Sequence, residues 1–354
     1  MSQSPHHGAA SGRRAPADPW TAFKRSPYLP ATVVTLILTT AAALFAGSYT
    51  YSMANPTPHW IPVAVVGDDR GAHGRAFIEG MEKALAASVR VHRYGDRAAA
   101  LRAVNEQKVY AILLIRDSGT RIDLEAAGAS GATVAQFLEQ AAPRVGEATG
   151  VAVAVRDIKP HQRGDPRGLA VFYITLAAVI VGLVGAAQLG VHAKALTPAG
   201  RIAFTAVYAL LGGFAIAAAV DWVLGALRLP FAESWAILGL TMFTSGMVFN
   251  MFSVLVGRWA LVPAWGLMVV LGNPSSGGAV SWALLPSPLA SIGRWLPPGA
   301  SVNAQHTAIY FRDHQHAFPF LVLGGWALTA VVVFWFLRHR ASGGRDDRAV
   351  RAPA

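Results

Sequence analysis

Three groups of residues in this 354-residue chain have the types and spacing to do chemistry. Gly67-Asp68-Asp69-Arg70-Gly71 sets two adjacent carboxylates in a glycine-flanked loop, where they could hold a cation or divide acid and base roles. Asp221, Arg228 and Glu233 border long apolar runs, and an ionisable group at membrane depth is a candidate polar gate or proton relay. Asp313-His314-Gln315-His316, with His306 upstream, offers ligand types suited to zinc or copper. Each also has a plainer reading: a solvated strand-to-helix loop, three side chains at headgroup level, and histidines gathered by chance. The plainer reading is preferred each time, so no catalytic residue and no metal ligand is assigned. No G-x-S-x-G elbow, H-E-x-x-H helix or cysteine nucleophile occurs, which points away from an enzyme. The P-loop pattern G-x-x-x-x-G-K-[ST] is also missing, so any ATP hydrolysis belongs to another polypeptide.

The elements that must position these residues follow from where charge is missing. No Asp, Glu, Lys or Arg falls between Arg25 and Asp68, and charge-free runs cover 168–193, 202–220, 234–257, 259–272 and 314–337. A bilayer core about 30 Å thick takes roughly 20 apolar residues of helix, and only 259–272 falls short of that. Backbone amides cannot stay unpaired in lipid, so these runs predict helices. The chain is 53% hydrophobic and 14% charged, against about 25% charged for soluble domains. Residues 55–166 hold 14 of the 30 Lys+Arg and 13 of the 19 Asp+Glu, so the net charge of +11 resides in tails and short loops. That is the distribution of a protein with basic cytoplasmic loops, and it makes nucleic acid an unneeded explanation of the basic balance.

Loop by loop, the basic residues give six spans with both termini cytoplasmic. Arg13, Arg14, Lys24 and Arg25 hold the N-terminus inside, Lys194 with Arg201 and Arg258 mark inner loops, and Arg338, Arg340, Arg345, Arg348 and Arg351 hold the C-terminus inside. The expected fold is an α-helical polytopic membrane protein with an inserted extracytoplasmic α/β domain. It divides into a cytoplasmic basic tail over 1–28, transmembrane helix 1 over 29–54, the α/β domain over 55–166, transmembrane helices 2–6 over 167–338, and a cytoplasmic basic tail over 339–354. Ser52-Met53-Ala54 has the spacing of a signal-peptidase site, but the preceding apolar run exceeds the roughly 7–15 residues of a cleavable signal, so a retained anchor is expected. In the α/β domain, Ile61–Val66, Val89–Tyr94 and Tyr110–Ile115 have the length and composition of buried strands, and Val151, Val153 and Val155 mark a further strand leading back to the membrane. Phe77, Met81 and Leu85, and later Val134, Phe137, Leu138, Ala141 and Val145, recur at helical spacing. The alternation predicts parallel strands joined by crossover helices. Within the spans, Gln188, His192 and Asn250 are expected to make interhelical hydrogen bonds, and Gly182, Gly185, Gly212 and Gly213 to allow close helix packing.

The stretch 273–311 is apolar yet broken by Pro and Gly, with Arg294 its only charge. Irregular backbone at membrane depth must be shielded by protein or line a wet cavity, which predicts a pair of short re-entrant helices; an amphipathic loop on the membrane surface is the alternative. Here Gly272-Asn273-Pro274-Ser275-Ser276-Gly277-Gly278-Ala279 and Trp295-Leu296-Pro297-Pro298-Gly299-Ala300 with Asn303 stand beside Asp165-Pro166-Arg167-Gly168-Leu169 and Phe172-Tyr173 at the start of span two. Together these motifs resemble the type 2 ABC transporter permease (ABC-2) superfamily, and within it the phage-infection-protein-like branch of bacterial membrane proteins. The resemblance implies a permease subunit of an export system in the cell membrane, moving a hydrophobic or amphipathic substrate. It would work as a homodimer with a separate cytoplasmic P-loop ATPase carrying the ATP, for which residues 17–25 and the loop 194–201 are candidate docking surfaces. The re-entrant segment would form the substrate path or gate through Asn273, Pro274, Ser275, Ser276, Gly277, Gly278, Trp295, Pro297, Pro298, Gly299 and Asn303. Because many members of the branch have no established transport activity, the resemblance also implies a second reading, a non-transporting envelope scaffold or receptor acting through the external domain.

Overall fold

In this computed structural model the described residues are 26, 28–54, 60–86 and 88–350. The expected N-terminal basic cluster, the segment 17–25 and Arg351 lie outside them. Met1–Ala46 and Gly47–Ala354 form two compact units. The described part of the first is most of helix α1 (Tyr28–Met53), an apolar helix with no acidic residue in its first turn and no basic one in its last.

The second unit begins with the end of α1 and then builds a sheet from β1 (Trp60–Val66), α2 (Ala72–Leu85), β2 (Ser88–Arg93), α3 (Arg97–Asn105), β3 (Ala111–Arg116), β4 (Arg121–Ala126), α4 (Ala132–Thr149) and β5 (Ala152–Asp157). The strand order is β2-β1-β3-β4-β5. Strand β1 pairs in parallel with β2 and β3, as the alternation of strands and helices predicts, and the unexpected strand β4 pairs in parallel with β5. Strand β4 is the departure from expectation: it pairs antiparallel with β3, from Ala111↔Ala126 to Arg116↔Arg121. The reversal is made possible by left-handed backbone at Asp117 (φ 49°) and Gly119 (φ 92°) in the tight turn between them. Ile122, Leu124 and Ala126 point into the protein, while Glu125 on the opposite face is buried and neutralised by Arg97 at 2.8 Å.

Helices α2 and α4 cover one face of the sheet through Phe77, Met81, Leu138 and Val145. Helix α3 covers the other, with Ala100, Ala103 and Val104 over Ala64, Ile112 and Leu114. The first of these cores does not end at the sheet. Val280, Leu284 and Leu285 join it from far along the chain, so the α/β layer and the broken segment share one hydrophobic interior. Each such fully buried aliphatic side chain contributes about 1.5–3 kcal/mol.

From β5 the chain enters α5 (Ala170–His192) through Asp165-Pro166-Arg167-Gly168-Leu169. The buried Asp165 carboxylate accepts from the backbone N–H groups of Leu169 (3.0 Å) and Ala170 (2.9 Å), satisfying donors that every helix start leaves open. Gly168 makes the turn at φ 67°, and a Cβ there would strike the His161 ring. The motif is therefore a helix cap and a tight turn.

Helix α6 (Pro198–Ala218) follows, capped by Thr197, whose hydroxyl accepts from Gly200 N–H at 3.0 Å, and it runs on into a π-helical turn at Ala219–Val223. Then come α7 (Phe231–Leu255), α8 (Leu261–Trp265) with a π-helical stretch at Gly266–Gly272, α9 (Ser287–Gly293), α10 (Pro297–Tyr310) and α11 (Ala317–Val350). Among the described residues, α1, α5, α6 with its π turn, α7 and Ala317–His339 of α11 are five helices long and apolar enough to cross a membrane. Gly257–Gly272, which contains the expected fifth of six spans at 259–272, is apolar but shorter, and Pro263 lies inside it. Helix α7 is the most enclosed of the five. Tyr208 on α6 donates to the Gly182 carbonyl at 2.5 Å, Trp235 to Leu210 at 2.8 Å, and Asn250 to Thr205 Oγ1 at 3.4 Å. Arg201, nearly fully buried, donates to the last carbonyls of α5, Leu189 (3.3 Å) and Ala193 (3.5 Å), where the helix dipole favours a cation.

Candidate functional site

The broken segment 273–311 resolves into turns and two short helices, α9 and α10; its two ends are buried, while Ser287, Pro288, Ser291 and Ile292 of α9 and Trp295 after it are exposed. Asn273, Pro274, Ser275, Ser276, Pro297, Pro298, Gly299 and most of α10 are buried. Leu296 in extended backbone and proline in the first turn start α10, since proline's fixed φ suits that position and its missing N–H costs nothing there. Ser275 Oγ donates to the Leu271 carbonyl at 2.7 Å, and Trp282 Nε1 donates to the Ser275 carbonyl at 3.0 Å. Gly299 packs so closely that a Cβ would meet the Gly293 carbonyl oxygen.

Polar side chains tie α10 to its neighbours on both sides. Toward the bundle, Thr241 on α7 donates to Ser301 Oγ at 2.7 Å, and Gln305 donates to the Ser234 carbonyl at 2.8 Å. Toward the sheet, Gln107, held in left-handed backbone (φ 56°), donates to Thr307 Oγ1 at 2.8 Å. A non-glycine residue in that region carries strain that the surrounding structure must hold. Helix α10 is thus bolted to a long apolar helix and to the α/β layer at once.

Two adjoining cavities with shared walls lie where these parts meet. The inner one, 60 Å³, lies between Ser130, His161 and Gln107 on one side and Gly277, Gly278, Asn303 and His306 on the other. Ser130 Oγ, both His161 ring nitrogens and Asn303 Oδ1 are buried there without a protein hydrogen-bond partner. Unpaired buried polar atoms are costly, so this cavity is suited to water or to a small polar group. Burial pushes the His161 imidazole below its ordinary value, outweighing the pull of Asp165 and Asp157. It is therefore neutral near pH 7, able to donate from one nitrogen and accept at the other. The outer cavity, 380 Å³, shares Gln107, Tyr110, Ser130, Trp282 and Asn303 with the inner one and adds Arg294, Trp295, His316 and Phe318. Trp295 and Phe318 also open a 600 Å³ groove along α11.

Of the residues singled out in the sequence, the structure brings Gly277, Gly278, Trp295, Gly299 and Asn303 to the cavities. Asn273, Pro274, Ser275, Ser276, Pro297 and Pro298 form the packed frame behind them. Gln107, Tyr110, Ser130 and His161 went unmarked in the sequence, because nothing in their local pattern sets them apart from ordinary loop and core positions. The other two carboxylate groups are structurally engaged or dispersed. Asp68 Oδ1 accepts from the backbone N–H groups of Arg70 (3.0 Å) and Gly71 (3.1 Å), while Asp69 forms a two-pronged pair with Arg93 at 2.7 Å. Asp221 lies in the π-helical turn beside Trp222, which stacks on Phe231 at 4.4 Å, an aromatic cluster of the kind found at membrane interfaces. Glu233 accepts from Gln315, Arg228 exchanges hydrogen bonds with Gln162 through its backbone, and among the described residues no ion pair joins the three. His306 faces Tyr310 and His316 lines the outer cavity; no group of three or more potential metal ligands gathers among the described residues. No protein-family model, curated protein or solved structure matches this chain.

Proposed function

We propose that this chain is the membrane subunit of a type 2 ABC export system, carrying a hydrophobic or amphipathic substrate with energy from a separate P-loop ATPase. In this reading it has six spans, Gly257–Gly272 being the short one, with both termini cytoplasmic and residues 55–166 outside the cell membrane. Two copies would form the transmembrane unit. The observation that carries the reading is the broken segment 273–311, folded into the bundle and roofed by the α/β layer, with cavities between. Irregular backbone of that kind is sustained at membrane depth where it lines a path, and discontinuous helices are where transporters bind.

The hydrogen-bonded contacts suggest how force would pass. An ATPase pressing on the loop 194–201 would move α5 and α6, which pack against α7. Helix α7 grips α10 through Thr241–Ser301 and Ser234–Gln305, and α10 grips the α/β layer through Thr307–Gln107. Motion of α7 would then open or close the cavities beside Asn303. The test is purification of tagged full-length protein from native membranes in mild detergent, followed by mass spectrometry. A P-loop ATPase in stoichiometric amount, lost when the exposed Lys194 is replaced, supports the permease. Recovery of envelope or secretion proteins alone supports the scaffold reading.

A further inference from the structure

We infer that the outer cavity and the groove on α11 form one binding site for an anionic membrane amphiphile, with its headgroup beside Arg294 and its chain along α11. The inference rests on the permease reading only in taking α11 to cross the bilayer, and it requires no ATPase.

The two spaces adjoin at shared lining residues and differ sharply in chemistry. Trp295 and Phe318 line both, edge to face with ring centres 5.0 Å apart, so they form the threshold between them. Beyond the threshold the groove runs past Leu321, Val322, Gly325 and Trp326 to Thr329, with walls almost wholly apolar. From Phe318 to Thr329 the helix rises about 16 Å, close to the hydrocarbon depth of one leaflet. Trp326 Nε1 donates to the Trp295 carbonyl at 2.8 Å and fixes that wall. On the cavity side, Arg294 stacks on Trp282 at 5.0 Å, forms no ion pair among the described residues, and is exposed. The carboxylate at this cavity is Glu106, and it is already held by Lys108 at 2.5 Å. His316 is the remaining titratable group of that lining besides Tyr110. The cavity therefore presents a free guanidinium fork, which matches phosphate oxygens in geometry as well as charge. A soluble anion would leave the groove empty, and a neutral hydrocarbon would leave Arg294 unused. An amphiphile with an anionic head satisfies both ends.

The test uses the full-length protein in mild detergent and native mass spectrometry, titrating phosphatidylglycerol, phosphatidylcholine and, as a head without a chain, glycerol phosphate. Gly325 lines the groove and a Cβ there would meet nothing within 4 Å, so Gly325→Trp directs a large ring into the groove. The expected result is one phosphatidylglycerol per chain, bound roughly tenfold tighter than phosphatidylcholine, with the preference lost in Arg294→Ala and partly kept in Arg294→Lys. Gly325→Trp should weaken both lipids, and glycerol phosphate should not compete. Monodisperse elution of each variant confirms that it is folded. Equal retention of both lipids, unchanged by either substitution, would mean annular lipid and overturn the inference. Displacement by glycerol phosphate with Gly325→Trp silent would mean a site for the head alone and also overturn it. Selective lipid binding without any ATPase partner would sink the permease reading and leave this one standing.

Discussion

Replacing Asp165 should loosen the start of the first helix after the α/β layer more than any other single change at that junction. The carboxylate is buried and accepts from two backbone N–H groups, those of Leu169 and Ala170. Asp165→Ala removes both acceptors at once. A buried donor left without a partner costs about 1–3 kcal/mol, so two cost about 3 kcal/mol after partial rescue by water. Asp165→Asn retains one oxygen acceptor and loses the charge that favours a helix N-terminus, at about 1 kcal/mol. Hydrogen exchange read by mass spectrometry on peptides covering 165–175 reports this directly. Local opening should become roughly 100-fold easier in the alanine variant and about fivefold easier in the asparagine variant, since 1.4 kcal/mol is a factor of ten. Exchange unchanged in Asp165→Ala would refute the capping role. Equal losses in the two variants would show that the negative charge, and not the acceptor geometry, is what matters.

Two further outcomes follow from the same packing. Asp69 is held below the usual carboxylate range, chiefly by its hydrogen bonds with Arg93. A depressed folded-state value means the pair stabilises the α/β layer above about pH 4 and loses that contribution as pH falls from there toward the folded value. The difference in thermal stability between wild type and Asp69→Asn should therefore be full at pH 7 and shrink below about pH 4; a constant difference would contradict the pairing. Gly299→Ala should sharply reduce the yield of folded protein in membranes, because its Cβ would meet the Gly293 carbonyl and neither backbone has room to retreat. Normal yield and a normal elution profile would show that the α9–α10 contact is looser than described.

Helix placement was open to reading in the sequence wherever a physical rule acts over many residues. Twenty apolar residues without a charge admit one solution in lipid, so the charge-free runs 168–193 and 234–257 lie within two or three residues of α5 and α7. Strands β1 and β3 were legible because buried strands read as nearly unbroken apolar runs, and the edge strands β2 and β5 because valine alternates along them. Strand β4 was hidden by charge: Arg121, Asp123 and Glu125 alternate with Ile122, Leu124 and Ala126, and the ion pairs that make Glu125 and Asp123 acceptable come from Arg97 and Arg116 elsewhere in the chain. The alternation and the Asp117-Ser118-Gly119 turn were the available signal. The motifs at 165–169, 272–279 and 295–300 drew attention to the right region, and the structure gives several of their residues packing and capping roles. The cavities themselves could not be read locally. Their walls come from α3's C-terminal loop, the turn before α4, the linker after β5, the 277–282 turn, α10 and α11, and only the folded chain brings Gln107, His161, Arg294 and Asn303 together.

The most direct test of the central claim uses the fact that the chain has no cysteine. Asn303 lines both cavities, so Asn303→Cys places a single thiol on the proposed path. Its rate of labelling by a membrane-impermeant maleimide can be followed in intact cells before and after ATP depletion. If α7 drives α10 under ATP turnover, the rate should change severalfold on depletion, while a control cysteine at the exposed Arg75 on α2 stays constant. Identical rates at Asn303→Cys in both conditions, in cells that contain the ATPase partner, would contradict an ATP-driven path through this cavity.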